Sequence, residues 1–342
     1  MNKNLVRRRN ATKRMGPRIP SAVRRLSNAL CFGVARSDCV TFKEIDRREE
    51  LSYKEFEEGY LYANRPVVVR GALRKWKALS RWTPEFFKTE FGGMKFSIAD
   101  HEKGQPDYRG DGGTEYTMAQ FIDRVLSSTD ENPAPYFRNK KMYDLFPSLK
   151  QDIEPLPEYC FPNWLAECHL VKHVREALNR AAAIELYIGG QGGAFPVLHY
   201  DGIGTHAFLM QIYGRKKFII FPPSQAGHLY PWPEKQNFSQ IDIDKPDLKR
   251  FPLYANAVPT TFVLEPGELL FVPSHWWHTT KMLTPSITIS VNTANQSNWQ
   301  ELIEFVAMRQ PNPFVSLASR AYLTGAGAWR AWRDRNWSKS VN

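Results

Sequence analysis

The sequence predicts a mainly β protein with flanking helices, organised around an antiparallel barrel or a double-sheet jelly roll. Between residues 184 and 292, short β-rich runs follow one another, separated by Gly and Pro, with no helical pattern between them. Helical spacing is found only before and after this region. The predicted strands are 184–188, 195–201, 207–213, 216–221, 261–264, 268–272 and 286–292.

The flanking elements are predicted from helical periodicity, capping residues and short apolar runs. Thr83, which precedes Pro84, and Thr117 are good N-caps, so each is expected to begin a helix. The region 132–162 is rich in Pro and aromatic residues and is expected to be irregular. The other predicted elements are helices at 52–62, 117–126, 164–182, 299–308 and 316–332 and strands at 67–69 and 95–99.

These patterns divide the chain into four parts. The predicted parts are a basic N-terminal arm (1–40), an N-terminal α/β part (41–163), the β-rich region (164–295) and C-terminal helices (296–342). With 342 residues, of which 42% are hydrophobic and 13% aromatic, the chain can bury a large core.

The net charge of +11 is concentrated at the two ends of the chain. Residues 1–25 contain nine basic residues and no acidic one, and residues 320–342 carry a net charge of +4. The remaining residues, 26–319, therefore carry −2, so no basic groove is expected around the β-rich region. Nucleic acid or an anionic surface could bind only through the basic ends, and we do not favour either as a partner.

Three interpretations of the basic N-terminal arm are open. It could be a flexible solvated segment, a tether to nucleic acid, a ribosome or an anionic membrane, or an organellar transit peptide. The arm contains no apolar stretch before a cleavage site, so secretion is not expected. No run of about 18 apolar residues occurs, and the four cysteines form no disulfide framework. We therefore expect an intracellular protein with free thiols, in the cytoplasm unless the arm is a transit peptide.

A metal site is predicted from His199-Tyr200-Asp201, which lies in a predicted strand. Side chains two apart on a strand point to the same face, so His199 and Asp201 can reach one ion. A third ligand is available in FVPSHWWH, which ends at His278 and also contains His275. Residues three apart on a strand face opposite ways, so only one of these histidines points inward, and the register alone does not decide which.

Two histidines and one carboxylate on one face of a metal leave neighbouring positions open for substrates. This is the ligand set of the non-haem Fe(II) oxygenases, in which 2-oxoglutarate and O₂ take the open positions. The alternatives are that the three residues have structural roles only, or that they hold zinc without oxidative chemistry. The pattern as a whole favours the iron interpretation.

From Phe195 to Asn295 the chain resembles the JmjC/cupin-like hydroxylases, most closely the asparaginyl hydroxylase that inhibits hypoxia-inducible factor. The motifs, in order, are FPVLHYD, MQIYGRKKFIIFPP, HLYPWP, IDIDKPDLKRFPL, LEPGELLFVPSHWWH and SITISVN. RPVVVRGAL and RWTPEFF, at 65–73 and 81–87, resemble the N-terminal part of the same family. The resemblance covers most of 60–295 and implies a double-stranded β-helix, Fe(II) as the metal and 2-oxoglutarate as cosubstrate.

The resemblance also assigns roles to individual residues. It implies that His278 is the third iron ligand beside His199 and Asp201, and that His275 is not a ligand. It implies that Lys216 pairs with the distal carboxylate of 2-oxoglutarate. This agrees with the position of Lys216 in a predicted buried strand, because a buried cation needs an anionic partner.

Further cosubstrate contacts are implied less directly. Asn292 matches an asparagine that closes the cosubstrate pocket, and Tyr136 matches, loosely, an upstream tyrosine that contacts the same carboxylate. The chain departs from the family at Pro196, where Thr or Ser is common. It departs again after the aspartate, where a loop longer by two residues offers Thr205 or His206 in place of an asparagine.

The predicted function is an Fe(II)- and 2-oxoglutarate-dependent dioxygenase that hydroxylates an amino-acid side chain of a protein or peptide. Three alternatives are open: a small-molecule or tRNA-base hydroxylase, a lysine or arginine demethylase, and a non-catalytic cupin-like binding module. RNA binding through the basic ends would favour the first, and an acidic, aromatic-lined pocket would favour the second. The resemblance also implies a homodimer formed through the C-terminal helices.

Overall fold

The computed structural model covers the whole predicted β-rich core. It describes residues 44–99, 112–165, 183–308, 310 and 312–341. The predicted basic arm at 1–40 and nearly all of the predicted helix at 164–182 lie outside the described residues.

Ten of the twelve strands in the described part of the chain form two facing sheets. The strands are β1 (Asp46–Arg48), β2 (Val67–Val69), β3 (Lys95–Ile98), β4 (Thr114–Thr117), β5 (Phe137–Lys141), β6 (Ile184–Gly189), β7 (His206–Tyr213), β8 (Lys216–Phe221), β9 (Thr260–Leu264), β10 (Leu269–Val272), β11 (Trp277–Met282) and β12 (Ser286–Thr293). The larger sheet has the order β1-β2-β10-β7-β12-β6-β5, and the smaller has the order β11-β8-β9. Strands β3 and β4 form a separate hairpin.

The two faces of the larger sheet have different partners, because side chains alternate along each strand. Met210 and Ile289 face outward into a core shared with the N-terminal helices. Leu270 faces the smaller sheet and packs with Phe218 and Ile220 of β8. The predicted jelly roll with flanking helices is therefore confirmed.

Helices flank the sheets on the N-terminal and C-terminal sides. They are α1 (Tyr53–Phe56, continued by a π-helical turn at Glu57–Leu61), α2 (Ala78–Arg81), α3 (Pro84–Phe91), α4 (Met118–Leu126), α5 (Met142–Leu145), α6 (Trp299–Met308) and α7 (Pro313–Val341). The hydroxyls of Thr83 and Thr117 accept hydrogen bonds from the third helical N–H of α3 and α4, as the sequence predicts. None of the helices in the described ranges is long and apolar enough to cross a membrane.

The predicted strand at 195–201 is wrong as a regular element. The segment forms only isolated bridges, from Ala194 to Lys281 and from His199 to His278 and Phe238. Pro196 has no N–H to donate, which explains why the pairing is interrupted there. The segment nevertheless runs along the free edge of β11.

Two further expectations need correction. The region 132–162 is not wholly irregular, because it contains β5, α5 and two 3₁₀ turns, Pro147–Asp152 and Glu158–Cys160. The sequence patterns also missed β11, whose residues WHTTKM show no apolar alternation. β11 is defined by its pairing with β8, which includes all six of its residues.

Gly214, in the turn between β7 and β8, is expected to be required for stability. Its φ is +67°, and an added Cβ would lie 1.8 Å from the carbonyl oxygen of Pro285. Replacing Gly214 with alanine should lower the free energy of unfolding, measured by urea denaturation, by at least about 2 kcal/mol. Gly227→Ala is the control, since nothing lies within 4 Å of its added Cβ. Equal stability of the two variants would contradict the expectation.

Candidate metal centre and cosubstrate pocket

Three side chains with metal-binding groups meet at one end of the jelly roll. One ligand atom from each of His199, Asp201 and His278 lies within 4.8 Å of the others. Both histidines are buried and the aspartate is half-buried. The structure therefore brings together the three residues that the sequence predicts as ligands.

Backbone pairing places the two histidines opposite each other. The N–H of His199 donates to the carbonyl of His278 at 3.1 Å, and the N–H of His278 donates to the carbonyl of His199 at 2.6 Å. Residues that exchange both hydrogen bonds are direct cross-strand neighbours, so their side chains leave on the same face. The centroids of the two imidazole rings are 4.4 Å apart.

Hydrogen bonds to the main chain set the orientation of both imidazoles. Nδ1 of His199 lies 3.0 Å from the carbonyl oxygen of Val197, and Nδ1 of His278 lies 3.0 Å from that of Trp276. A carbonyl only accepts, so each Nδ1 carries the hydrogen and each Nε2 keeps its lone pair for a metal. Burial, followed by the nearby His278, lowers the pKa of His199 well below its usual value, which keeps this ring neutral as a ligand must be.

Aromatic rings enclose the metal centre. Phe195 stacks on His199 with a centroid distance of 4.3 Å, and the ring of Phe238 is also nearly parallel to it, at 6.3 Å. In these surroundings burial raises the pKa of Asp201. A carboxylate that is costly to bury, placed between two neutral Nε2 atoms, is a donor set that fits a divalent cation.

His275 lies outside this cluster. Its backbone has a φ of +63°, and its ring packs on Tyr200 with a centroid distance of 4.9 Å. Its Nε2 lies 3.2 Å from a carboxylate oxygen of Glu301 in α6. Of the two histidines that the strand register left open, the structure places His278, and not His275, beside His199.

The start of α6, together with Asn298 directly before it, supports the loop that follows Asp201. Asn298 donates a hydrogen bond to the carbonyl of Gly204 at 2.9 Å. A Cβ at Gly204, which has a φ of +70°, would lie 2.8 Å from the Cβ of Glu301. The loop and the helix are therefore in direct contact.

Lys216 is a buried cation inside the barrel. Its ammonium donates to the hydroxyl of Tyr136 at 3.1 Å and to that of Thr288 at 2.6 Å. No carboxylate of the described residues lies within ion-pair distance of it. Burial lowers the pKa of Lys216 to about 7. A bound dicarboxylate would supply the missing countercharge, so the site fits 2-oxoglutarate.

A second layer of hydrogen bonds holds this lysine in place. Thr288 donates to Oε1 of Gln211 at 2.8 Å. The amide of Gln211 in turn donates to Ser286 and to two carbonyls of the β7–β8 turn. The sequence patterns did not single out Thr288 or Gln211, although their polarity at inward positions of apolar strands was a usable signal.

The other residues predicted to contact the cosubstrate are Asn292, Thr205 and His206, and their surroundings differ. Asn292 follows Thr288 by four residues on β12, so both face the barrel interior. Thr205 is buried. His206 is engaged elsewhere, because Nδ1 accepts from the N–H of Ser274 at 3.0 Å and Nε2 lies 2.7 Å from the hydroxyl of Ser297. No ring nitrogen of His206 is left for a cosubstrate.

Three further polar residues near the metal were not predicted from the sequence. Arg138 is buried, and its guanidinium lies 5.2 Å from the ring centroid of Phe195. Glu185 and Tyr187, on β6, are hydrogen-bonded to each other at 2.7 Å. The alternation of IELYIG was the signal, because it gives an otherwise apolar strand a polar inward face.

Comparison with known proteins agrees with this geometry. A family model described as "Cupin-like domain" matches residues 53–301. The chain is 28% identical over 250 residues to lysine-specific demethylase 8 of Xenopus tropicalis, which covers 70% of this chain and 50% of that protein. It is 25% identical over 295 residues to lysine-specific demethylase JMJ30 of Arabidopsis thaliana, covering 83% and 64%.

A shorter stretch shows higher identity to a different protein. Over 123 residues the chain is 41% identical to HSPB1-associated protein 1 of Rattus norvegicus, covering 35% of this chain and 24% of that protein. The chain thus spans about half to two thirds of the length of the two demethylases.

The metal centre is expected to depend on His278 and not on His275. His278→Ala should weaken Mn(II) binding, followed by electron paramagnetic resonance, by more than about 100-fold, since loss of an outer partner alone costs 10- to 100-fold. His275→Ala is the matched control, three residues away, and should bind Mn(II) as the unmodified protein does. The reverse order of affinities would refute this ligand set.

Proposed function

We propose, from the premise that this chain belongs to the cupin-like domain family, that it is an Fe(II)- and 2-oxoglutarate-dependent oxygenase. The proposed reaction is hydroxylation of an amino-acid side chain in a protein or peptide. One observation carries the proposal: a buried His-Asp-His cluster shares the barrel interior with a buried lysine that has no carboxylate partner among the described residues.

The residues of the metal centre would hold Fe(II) through Nε2 of His199 and His278 and through the carboxylate of Asp201. Bound Fe(II), with 2-oxoglutarate and O₂, supplies the oxidising power for inserting a hydroxyl group into a C–H bond. The carbonyls of Val197 and Trp276 keep the two imidazoles oriented for this role. The ring of Phe195, stacked on the buried His199, helps to keep water away from this imidazole.

Lys216 would bind the distal carboxylate of 2-oxoglutarate. The hydroxyls of Tyr136 and Thr288 orient its ammonium, and the buried amide of Gln211 fixes Thr288. Because this chain of hydrogen bonds is in place without a ligand, little reorganisation is needed when the anion binds. Asn292 and Thr205 complete the proposed cosubstrate contacts.

A protein substrate is supported by two relatives named lysine-specific demethylases. Demethylation is the second candidate, since oxidation of an N-methyl group gives a hydroxymethyl amine that breaks down to the free amine and formaldehyde. The hydrogen-bonded Glu185 and Tyr187 beside the metal centre favour this candidate, because a carboxylate with an aromatic ring suits a methylammonium group.

We also propose that the protein forms a homodimer through α7. The exposed residues of this helix from 314 to 332 include no charged residue. They form a face about 27 Å long at 1.5 Å per residue. Its large apolar side chains are Phe314, Val315, Leu317, Tyr322, Trp329 and Trp332, each at least 45% exposed. A second copy of the same helix, packed alongside, would cover this face.

The oxygenase proposal predicts turnover of 2-oxoglutarate. Protein reconstituted anaerobically with Fe(II) should form succinate when O₂ and 2-oxoglutarate are added, and faster with a substrate from a panel of protein-derived peptides and transfer RNA. His199→Ala is the inert control. Absence of succinate from the unmodified protein under every condition would refute the proposed activity. Stimulation by transfer RNA alone would refute the protein-substrate assignment.

The role of Lys216 is tested by the dependence of succinate formation on the concentration of 2-oxoglutarate. Lys216→Met should weaken 2-oxoglutarate binding by about 10- to 100-fold, the equivalent of one lost charge-assisted hydrogen bond. The neighbouring Lys217→Met is the matched control, since Lys217 faces away from the barrel. With the pKa of Lys216 lowered to about 7, binding should also weaken by up to about tenfold per pH unit above 7 as the cation is lost. Lys216→Met should abolish this pH dependence.

If the protein dimerises through α7, charged residues introduced into this helix should lower its molar mass in solution. Leu317→Glu with Trp329→Glu should convert a dimer into a monomer in light-scattering measurements, because two charges would be buried at the contact. Leu248→Glu is the control, since Leu248 is 48% exposed and lies outside α7. A monomeric unmodified protein, or a dimer that survives both changes, would contradict the proposal.

A further inference from the structure

Glu185 occupies an inward position in a strand that is otherwise apolar. Ile184, Leu186 and Ile188 of β6 pack into the outer core with the N-terminal helices. By alternation, Glu185 and Tyr187 face the barrel interior. The ring of Tyr187 packs in a cluster that also contains Phe195, beside the metal ligand His199.

Among the described residues, the carboxylate of Glu185 accepts one hydrogen bond and forms no ion pair. The hydroxyl of Tyr187 donates to its Oε2 at 2.7 Å. Within the described part of the chain, no lysine or arginine lies within ion-pair distance of Glu185. Lys141, its neighbour across the sheet, pairs with Asp144 at 3.7 Å. A single hydroxyl is a weak partner for a carboxylate that is largely out of water.

The other cations of the barrel are directed to other groups. The ammonium of Lys216 is held by Tyr136 and Thr288. The guanidinium of Arg138 lies 5.2 Å from the ring centroid of Phe195. Burial, with a smaller contribution from the nearby carboxylate of Asp201, raises the pKa of Glu185 to about 7. Glu185 therefore lies within electrostatic reach of the metal ligand Asp201.

A bulge in the neighbouring strand shapes this part of the pocket. The register of β5 against β6 shifts between Phe137 and Lys140. Within the shift, Asn139 has a φ of +55°, and its Oδ1 lies 2.9 Å from the hydroxyl of Tyr187. Bulges beside functional sites re-aim side chains, and a strained residue is retained where the surroundings require it. Here the bulge turns a polar amide toward Tyr187, which also contacts Glu185.

We propose that Glu185 is the specificity-determining residue of the active site, and that its carboxylate binds the cationic group of a substrate side chain. The group is an ammonium or guanidinium. It would form an ion pair with Glu185 and pack against the face of Tyr187. This inference rests on the proposed oxygenase function and deepens it by naming the substrate class. A neutral side chain would leave the carboxylate without a countercharge, so the site discriminates against it.

The test compares peptides that differ only in charge. The full chain is loaded with Mn(II), which is redox-inactive here, and with 2-oxoglutarate. Peptides of the form Ala-Ala-Xaa-Ala-Ala carry arginine, lysine, citrulline or norleucine at the central position. Affinity and the paramagnetic broadening of side-chain protons are measured by nuclear magnetic resonance for the unmodified protein, Glu185→Gln and Glu185→Asp.

The cationic peptides are expected to bind at least about tenfold more tightly than their neutral counterparts, with the side-chain end broadened by Mn(II). Glu185→Gln keeps the shape and the hydrogen bond from Tyr187 but should remove this preference, and Glu185→Asp should restore part of it. Equal binding of cationic and neutral peptides, or a preference that survives in Glu185→Gln, would overturn the inference.

Binding of Mn(II) and of 2-oxoglutarate, measured on the same samples, separates this result from the activity. If the unmodified protein binds both but shows no charge preference, the role of Glu185 is wrong and the proposed function stands. If succinate never forms but the Glu185-dependent preference is present, the oxygenase proposal fails and the cation site remains.

Discussion

The backbone pairing of His199 with His278 is the constraint on which the metal centre depends. His199 lies in an irregular segment, three residues after Pro196, and His278 is the second residue of β11, yet their two mutual hydrogen bonds fix the side chains on one face. The carbonyls two residues before each histidine then set the ring orientation. The geometry of the ligands thus comes from main-chain hydrogen bonds, which a change of side chain elsewhere does not easily disturb.

The interior of the jelly roll is divided by polarity. Apolar residues such as Phe218, Ile220 and Leu270 form one cluster that fills part of the space between the two sheets. Lys216 lies on the same face of β8 as the first two of these, yet it is surrounded by hydroxyls and an amide. A cation in such a place is tolerated because its donors are used. The anion binding proposed for it follows from the absence of a carboxylate partner among the described residues.

Much of this arrangement could be predicted from the sequence, and the reasons for the misses are physical. The proposed ligands His199 and Asp201 were predicted from strand periodicity although their segment is not a regular strand, since an extended backbone orients side chains in the same alternating way. The choice of His278 over His275 needed resemblance, because the left-handed φ of His275 is invisible in a pattern. Glu185 was missed since alternation marks a residue as inward only once the strand's buried face is known.

The contact between the start of α6 and the loop after Asp201 shows that residues beyond the last strand support the metal centre. Asn298 and Glu301 contact Gly204, which lies three residues after Asp201. Glu301 also contacts His275, which lies three residues before His278. The match to the family model ends at 301, and these contacts come from Asn298, which directly precedes α6, and from Glu301 in its first turn. A fragment that ended at β12 would keep His199, Asp201 and His278 but would lose Asn298 and Glu301, which contact the neighbouring residues. The start of α6 is thus a structural part of the metal centre, and a transplant of this site into another scaffold would have to carry α6 with it.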